Sequence, residues 1–566
     1  MKKPEKKKWV EKGAPEDYLL KDFFHRVIAD IFYNRGINNL KEAEDFLSPD
    51  FKKLPSPYLI PNIEKAAKRV LGAIHKKELI CVYGDYDVDG ITSTALIINI
   101  LEQLKANYTY YIPSRLKEGY GLNKPAISKL AIAGVKLIIT VDCGITALKE
   151  VELAREKGID VIITDHHEVP EILPKAYAIV HPDSPGSKYP HKNLAGVGVA
   201  FKLAHVILNE AKYEKAEEYL KWLLDLVALG TIADIVPLVG ENRILAHYGL
   251  IVLGKTKRIG LDSMYESAGI KKEDVTSYNV AFQIAPRLNA AGRITHAEEG
   301  LKILLSQDKK EASKLAAHLS SLNSKRQETT KRILDEALEM IDQLPDDQRF
   351  IILSSKEWSS GVIGIVASKI IESYSRPVIL LQETDDLLHG SARSIEEMDL
   401  YQALKQCEQH LTNFGGHKGA AGLSLKKNKL KDLTLSLEEI GIKILDLESL
   451  LPSIDIETLV SFSEINDSLF ETLRKLAPHG AGNPVPVFAT KDILVISANA
   501  VGAEKKHLKL RLSDLDGYSF EAIGFGMGDL LLTPGSKVDL VYRLHENVWN
   551  GKKSLELIVL DLCIQD

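Results

Sequence analysis

Between residues 79 and 183 the chain repeats one pattern: a short apolar, β-rich run, a polar turn, and then a helical segment. The runs are LICVYG (79–84), YTYYIPS (108–114), VKLIITVD (135–142), DVIITD (160–165) and AYAIVHPD (176–183). The intervening residues predict helices over 90–105, 123–133 and 145–157. Short continuous apolar strands separated by helices need cover on both faces, which predicts a buried, mostly parallel sheet. In open sheets of that kind, sites form just beyond the carboxyl ends of the strands. This places the chemistry to look for at three of the runs.

The first run leads into GDYDVDG, with Asp85, Asp87 and Asp89 two residues apart and then Gly90. That is how a calcium-binding EF-hand loop begins, but such a loop needs a bidentate Glu at its twelfth position, and here that position is Leu96. An EF-hand loop also follows a helix, and ELICVYG reads as a strand. Gly90 is expected to let the chain turn from the strand into the next helix. The third run ends in Asp142, and the fourth in Asp165 followed by His166 and His167. One such acid reads equally well as a helix cap. Three strand ends carrying hard-metal ligands, one with paired histidines, point to a site. Adjacent histidines on an extended chain point to opposite sides, so one can bind metal while the other faces a substrate. Asp234, in ALGTIADIVPL, is a further candidate, read equally as a ligand or as a capped or paired acid.

Carboxylates and imidazole without thiolate suit Mn²⁺ or Mg²⁺ better than zinc. Several carboxylates around one pocket repel unless cations compensate, which points to two metal ions. The four cysteines (Cys81, Cys143, Cys407, Cys563) are scattered with no CxxC, so a disulfide framework or zinc knuckle is not expected, and a reducing cytoplasm fits. No uncharged apolar run reaches membrane-spanning length, and the charged N-terminus is not expected to be a secretory signal. With a net charge of −6, any nucleic acid must be held by a local basic groove. At 566 residues the chain should hold several domains. Residues 308–344 read as a long charged amphipathic helix, a second α/β unit begins at 349, and short alternating strands after 452 suggest a small β-barrel.

The motifs GDYDVDG, VDCG, DHH, ADIVPL, RLNAAGR and GGHKGAAG, in this order from residue 84 to 422, resemble the DHH phosphoesterase superfamily, and within it the bacterial RecJ exonucleases. The trailing β-rich region is similar to that family's OB-fold. The resemblance implies an α/β multidomain chain. Its parts would be an N-terminal segment (1–48), a parallel-sheet DHH domain (49–300), a long connecting helix (301–345), a second α/β DHHA1 domain (346–450) and a C-terminal OB-fold β-barrel (451–566).

The resemblance also implies roles. Asp87, Asp89, Asp142, His166 and Asp234 are the implied ligands of two Mn²⁺ or Mg²⁺ ions, with Asp142 bridging. Asp85 is either a further ligand or a neighbour of the ligands, and His167 faces the scissile phosphate. Tyr83 stands where pyrophosphatase-like members carry His. Arg115, Ser391 and Arg393 are implied to hold a 5′ phosphate. Tyr120, Arg287, Asn289, Arg293 and His417 are implied to contact DNA. Lys325, Arg326, Lys331 and Arg332 on the long helix are candidates for lining a channel. Lys505, Lys506, Lys509 and Arg511, with Tyr518 and Phe520, are candidates for gripping single strands.

The implied activity is 5′→3′ hydrolysis of single-stranded DNA to mononucleotides, in recombination and repair, by a cytoplasmic monomer. Single-strand-binding protein and a RecQ-type helicase are the expected partners. The rival readings are a phosphodiesterase for short oligoribonucleotides or cyclic dinucleotides, and an inactive replication scaffold.

Overall fold

The structure, a computed structural model, describes residues 1, 7–115, 117–530, 532–549 and 552–565. The chain forms two compact units. The first holds Asn39–Ser324 together with Leu473–Val485. The second holds Met1–Asn38, Lys325–Thr472 and Pro486–Asp566.

The first unit is built on a sheet of β1 (Leu79–Gly84), β2 (Tyr108–Tyr111), β3 (Val135–Val141), β4 (Asp160–Thr164) and β5 (Ala178–Val180). The order is β2-β1-β3-β4-β5, and every pairing is parallel. Side chains alternate across it. Ile80, Val82, Leu137, Ile139 and Ile162 enter one apolar core, and Cys81, Tyr83, Ile138, Val161 and Ile163 enter another. The first core is capped by α1 (Val88–Gln103), α2 (Gly196–Glu210) and α3 (Leu224–Ala233). The second is capped by the helices Lys124–Ile132 and Leu148–Glu156. This double cover explains why the strands read as unbroken apolar runs rather than alternating ones. The fifth run is expected over 176–183 but keeps strand form only over Ala178–Val180, because it is an edge strand paired on one side. The remote segment Leu473–Val485 joins this unit through the buried Arg243, which donates to the carbonyls of Lys475, Leu476 and Ala477.

Helix α4 (Ala285–Ile294) precedes α5 (Lys309–Ile341), whose 33 residues are shared between the two units. The second unit contains a five-stranded mixed sheet of β6 (Ile351–Ser355), β7 (Val378–Glu383), β8 (Leu387–Arg393), β9 (Asn413–His417) and β10 (Ala420–Lys426). The order is β9-β10-β8-β7-β6. Helix α6 (Ser360–Tyr374) packs on β7 and β8. The same unit contains β11 (Phe488–Val501), β12 (His507–Ser513), β13 (Ser519–Gly524), β14 (Lys537–Trp549) and β15 (Lys552–Ile564). These close into a barrel because β14 pairs with β11 as well as with β15. Closure removes the sheet edges that an open sheet would expose.

Gly90 differs from its expected role. It lies in the first turn of α1, and it is not at a left-handed position. A Cβ there would come within 2.5 Å of the Asp85 carbonyl oxygen and 2.6 Å of its amide nitrogen. The glycine therefore lets the helix pack directly against the main chain that carries Asp85. We expect Gly90→Ala to lower stability by about 1–3 kcal/mol, the range for forced overpacking, measured by urea unfolding. An unchanged midpoint would show that the contact is not tight.

Candidate functional site

The carboxyl ends of β1, β3 and β4, with the end of α3, bring five carboxylates and two imidazoles together. The carboxylates of Asp85, Asp87 and Asp142 form one group. Asp89, His166 and Asp234 form a second, and Asp142, His166 and His167 a third. Within each group the candidate ligand atoms lie within 4.8 Å of one another. Asp142 and His166 each belong to two groups, so the arrangement is one continuous cluster.

Each acid has a local reason for its place. Asp87 caps α1, accepting from the Gly90 amide at 3.0 Å. Asp89 lies in the first turn of the same helix but reaches the start of α2, where its two oxygens accept from Gly196 N (2.6 Å) and Val197 N (2.8 Å). Those amides, which have no partner within the helix, and the helix dipole favour a negative charge there. Asp142 follows β3 in the left-handed region, with φ 62°, a conformation costing about 1–3 kcal/mol for a residue other than glycine. The strain falls on the residue at the centre of the cluster. A Cβ on Gly196 would come within 2.7 Å of the Asp142 side chain, so α2 also needs a glycine to approach this closely. Asp234 caps the carboxyl end of α3, and its neighbour Ile235 is also left-handed, with φ 63°.

The site's polar atoms are incompletely satisfied. His166 Nε2 lies 3.0 Å from Asp142 Oδ1 and 3.6 Å from Asp234 Oδ2, yet neither His166 Nε2 nor Asp142 Oδ1 makes a hydrogen bond. Asp85 Oδ1 is also buried without one. With burial holding the ring neutral, the unbonded Nε2 can present a lone pair to the acids it faces. Buried, unbonded oxygens beside an imidazole lone pair fit a divalent cation, because only positive charge offsets their desolvation and mutual repulsion.

The pKa shifts have the same cause. Burial, then repulsion from Asp87, pushes Asp89 up to about 7. Burial, then Asp89 and Asp87, pushes Asp234 up to about 9. Burial and neighbouring carboxylates also hold Asp85 and Asp142 well above the carboxylate range. Burial lowers His166 to about 4, keeping it neutral and able to ligate. His167 behaves in the opposite way. Burial disfavours its charge, but the Asp165 carboxylate, 2.7 Å from Nδ1, raises it to about 9.

Asp165 is a strand-end acid of the kind read as a metal ligand, and here it departs from that expectation. It is absent from the ligand groups. Burial opposes its charge, but the His167 hydrogen bond leads the contacts that bring it down to about 2. It accepts from the amides of His166, His167 and Ile145, so its work is to staple the turn that carries the histidines. The tight spacing of Asp165 to two following amides is an Asx-type signal that reading the acid as a ligand overlooked. The anchoring amides of Gly196 and Val197 were likewise not anticipated, although glycines opening a helix in AGVGVAF are a fair sign of an anion-binding terminus.

The remaining candidates are divided between the two units. Tyr120 is half-exposed, but its hydroxyl lies 3.1 Å from His167 Nδ1 and 3.4 Å from the Asp142 carbonyl. Arg115 sits over the Tyr86 ring, 5.1 Å from its centroid, and Arg293 also acts electrostatically on that tyrosine. Helix α4 approaches the Tyr86 carbonyl through Gly292. Arg287 is half-buried and donates to Ser320 Oγ and the Gln283 carbonyl, and Asn289 is half-buried on the same helix. In the second unit, Arg393 donates to Ser391 Oγ at 3.2 Å, and both side chains lie against Gly364 of α6. Ladder pairing places Arg393, Ala420 and His417 in one row across β8, β10 and β9. On the barrel, Lys509 pairs with Glu556, while Tyr518 is exposed.

Comparison with known proteins gives three domain matches. The DHH family N-terminal domain matches residues 79–231, the DHHA1 domain 347–440, and the RecJ OB domain 456–561. The single-stranded-DNA-specific exonuclease RecJ of Bacillus subtilis is 39% identical over 544 residues, covering 95% of this chain and 68% of the relative. The Escherichia coli protein of the same name is 34% identical, with 94% of each chain covered. Among solved structures, RecJ from Thermus thermophilus in complex with Mn²⁺ aligns with TM-score 0.84 and 30% identity over 99% of this chain and 80% of its own. The Mg²⁺ complex from the same organism aligns with TM-score 0.78 and 29% identity, over 98% of this chain and 78% of its own.

The shifts carry a pH consequence. Asp89 and Asp234 have folded pKa values above the unfolded value near 4, so these two groups hold more protons in the folded chain from about pH 4 up to about 7 and 9, while His166, lowered to about 4, opposes them in part below 6.5. The contribution of the two acids is complete below that window and is lost as the pH rises through it. Raised His167 has the same sign above pH 6.5. We expect the melting temperature of chelator-treated protein to fall between about pH 5 and 9, and Mn²⁺ to restore more of it at pH 9 than at pH 6. A flat profile without metal would contradict this electrostatic account.

Proposed function

The chain belongs to the RecJ family of single-stranded-DNA-specific exonucleases, and on that premise we propose that it degrades single-stranded DNA from the 5′ end to 5′-mononucleotides through two divalent ions. The observation that carries the two-ion reading is the shared membership of Asp142 and His166 in adjoining ligand groups with unbonded buried atoms. In this reading Asp87, Asp89, Asp142, His166 and Asp234 hold the ions, with Asp85 beside Asp87 and Asp142. The five sequence segments 1–48, 49–300, 301–345, 346–450 and 451–566 carry the division of labour among the domains.

When bound, Mn²⁺ or Mg²⁺ supplies Lewis-acid polarisation of the scissile phosphate and compensation of the carboxylate charge. The chain's own residues do the rest. Asp165 holds His167 charged at neutral pH, with Nδ1 committed to the carboxylate, so Nε2 is the atom that can donate to a phosphate oxygen. The bond that breaks joins phosphorus to the 3′ oxygen of the terminal nucleotide, and water supplies the new oxygen on phosphorus. Arg115, Ser391 and Arg393 hold the terminal 5′ phosphate, a task suited to the planar guanidinium fork. Tyr120, Arg287, Asn289, Arg293 and His417 are the proposed contacts along the strand. For Arg287 this requires release from its present partners.

A single-strand-binding protein and a RecQ-type helicase are the proposed partners, with a monomer as the acting form in the cytoplasm. Among the described residues no helix is long and apolar enough to cross a membrane. The phosphodiesterase reading for small nucleotides is not favoured, because the match to the RecJ OB domain spans 456–561. The scaffold reading is not favoured because the ligand set is complete.

With Mn²⁺ and 5′-phosphorylated single-stranded DNA, the chain should release mononucleotides, and Asp142→Ala should lower the rate at least about 10³-fold. An unchanged rate in that variant would refute the two-ion reading. Arg393→Ala should cut the preference for a 5′ phosphate over a 5′ hydroxyl by about 10- to 100-fold, the worth of one charge-assisted bond. A preference equal to wild type would remove Arg393 from that role.

A further inference from the structure

The turn that carries His166 and His167 is held on one side by Asp165. Its other side is the main chain, and there a third histidine makes contact. His181 is only 1% exposed, and its Nε2 lies 2.9 Å from the His167 carbonyl oxygen. It sits just past β5, the edge strand that pairs with β4 through Ile162 with Ala178, Ile163 with Ile179 and Thr164 with Val180. The two turns therefore leave neighbouring strands at the same level.

The ring's tautomer follows from its other nitrogen. The Asp183 amide donates to His181 Nδ1 at 3.0 Å, so Nδ1 is the lone pair and Nε2 carries the proton. Nε2 then donates to the His167 carbonyl, which is the acceptor this geometry requires. Both ring nitrogens are therefore engaged, and the main-chain carbonyl of His181 accepts from Ser184 Oγ at 3.0 Å. Burial lowers the His181 pKa and keeps the ring neutral, so the donor and acceptor roles do not exchange near neutral pH.

We propose that His181 is a positioning residue for the metal centre. Its Nε2–H pins the His167 carbonyl, and so fixes the turn from which His166 points into the carboxylates and His167 towards the substrate. The contact is to main chain, so it constrains both histidines at once, whereas Asp165 constrains the amides and the His167 ring. Without it, the peptide after His167 loses its buried donor and can rotate, and the His166 lone pair is no longer held towards Asp142. Groups that orient metal ligands from behind are typically worth about 10–100-fold in metal affinity or activity.

The inference rests on the metal-site reading above, and calorimetric Mn²⁺ binding to chelator-treated protein separates the two. No Mn²⁺ binding by the wild type would mean that reading has failed. Wild-type binding that His181→Ala leaves unchanged would overturn this one alone. The expected result is Mn²⁺ binding weakened about 10- to 100-fold in His181→Ala, with kcat on single-stranded DNA reduced and KM for the DNA within about two-fold of wild type. His181→Gln, whose amide nitrogen can occupy the Nε2 position, should return Mn²⁺ affinity to within about three-fold of wild type. A purely structural role would lower the melting temperature without moving the affinity of the folded protein, and would not separate Gln from Ala. If His181→Ala does not fold, His181→Leu fills the ring's volume without a donor and takes its place beside His181→Gln. Equal Mn²⁺ affinity in the Leu and Gln variants would overturn the proposal.

Discussion

The repulsion among Asp85, Asp87, Asp89, Asp142 and Asp234 is the constraint to which the surrounding structure answers. Three of these acids are almost wholly buried, where a lone carboxylate is costly. The fold spreads that cost over several devices. Amides at the start of α2 receive Asp89, the first turn of α1 receives Asp87, and glycines at 90 and 196 let helices close over the cluster. What the protein alone leaves uncompensated is visible as unbonded oxygens on Asp85 and Asp142 and an unbonded nitrogen on His166. The same deficit that raises the acids' pKa values makes the pocket a receptor for divalent cations.

The histidines divide the work by the company they keep. His166 is held neutral by burial with Nε2 unbonded among the acids, the state a ligand requires. His167 is bonded to Asp165 and held charged, the state that meets a phosphate. Two adjacent residues in sequence thus have opposite protonation near neutral pH. The difference is set by burial around the His166 ring and by the Asp165 carboxylate bonded to the His167 ring.

Much of this was legible in the sequence, for identifiable reasons. Strands buried on both faces must be continuously apolar, so β1, β3 and β4 and the ligands at their ends could be read together. The barrel strands alternate, as in HLKLRLS (His507–Ser513), so they were visible too. What escaped was whatever depends on contacts between distant segments. Nothing in residues 473–485 announces that their carbonyls will wrap Arg243. Asp165 could not be told from a ligand without seeing its three amides, and Gly90 looked like a turn residue until the Asp85 main chain was found against it. The role inferred for His181 arises from a β-ladder register, which one strand's sequence cannot express.

The central claim is that this carboxylate cluster holds two divalent ions at once. Anomalous diffraction from crystals soaked in Mn²⁺ tests it most directly. The account predicts two peaks per chain, one among Asp85, Asp87 and Asp142 and the other among Asp89, His166 and Asp234. A single peak at full occupancy, or peaks away from these residues, would contradict it.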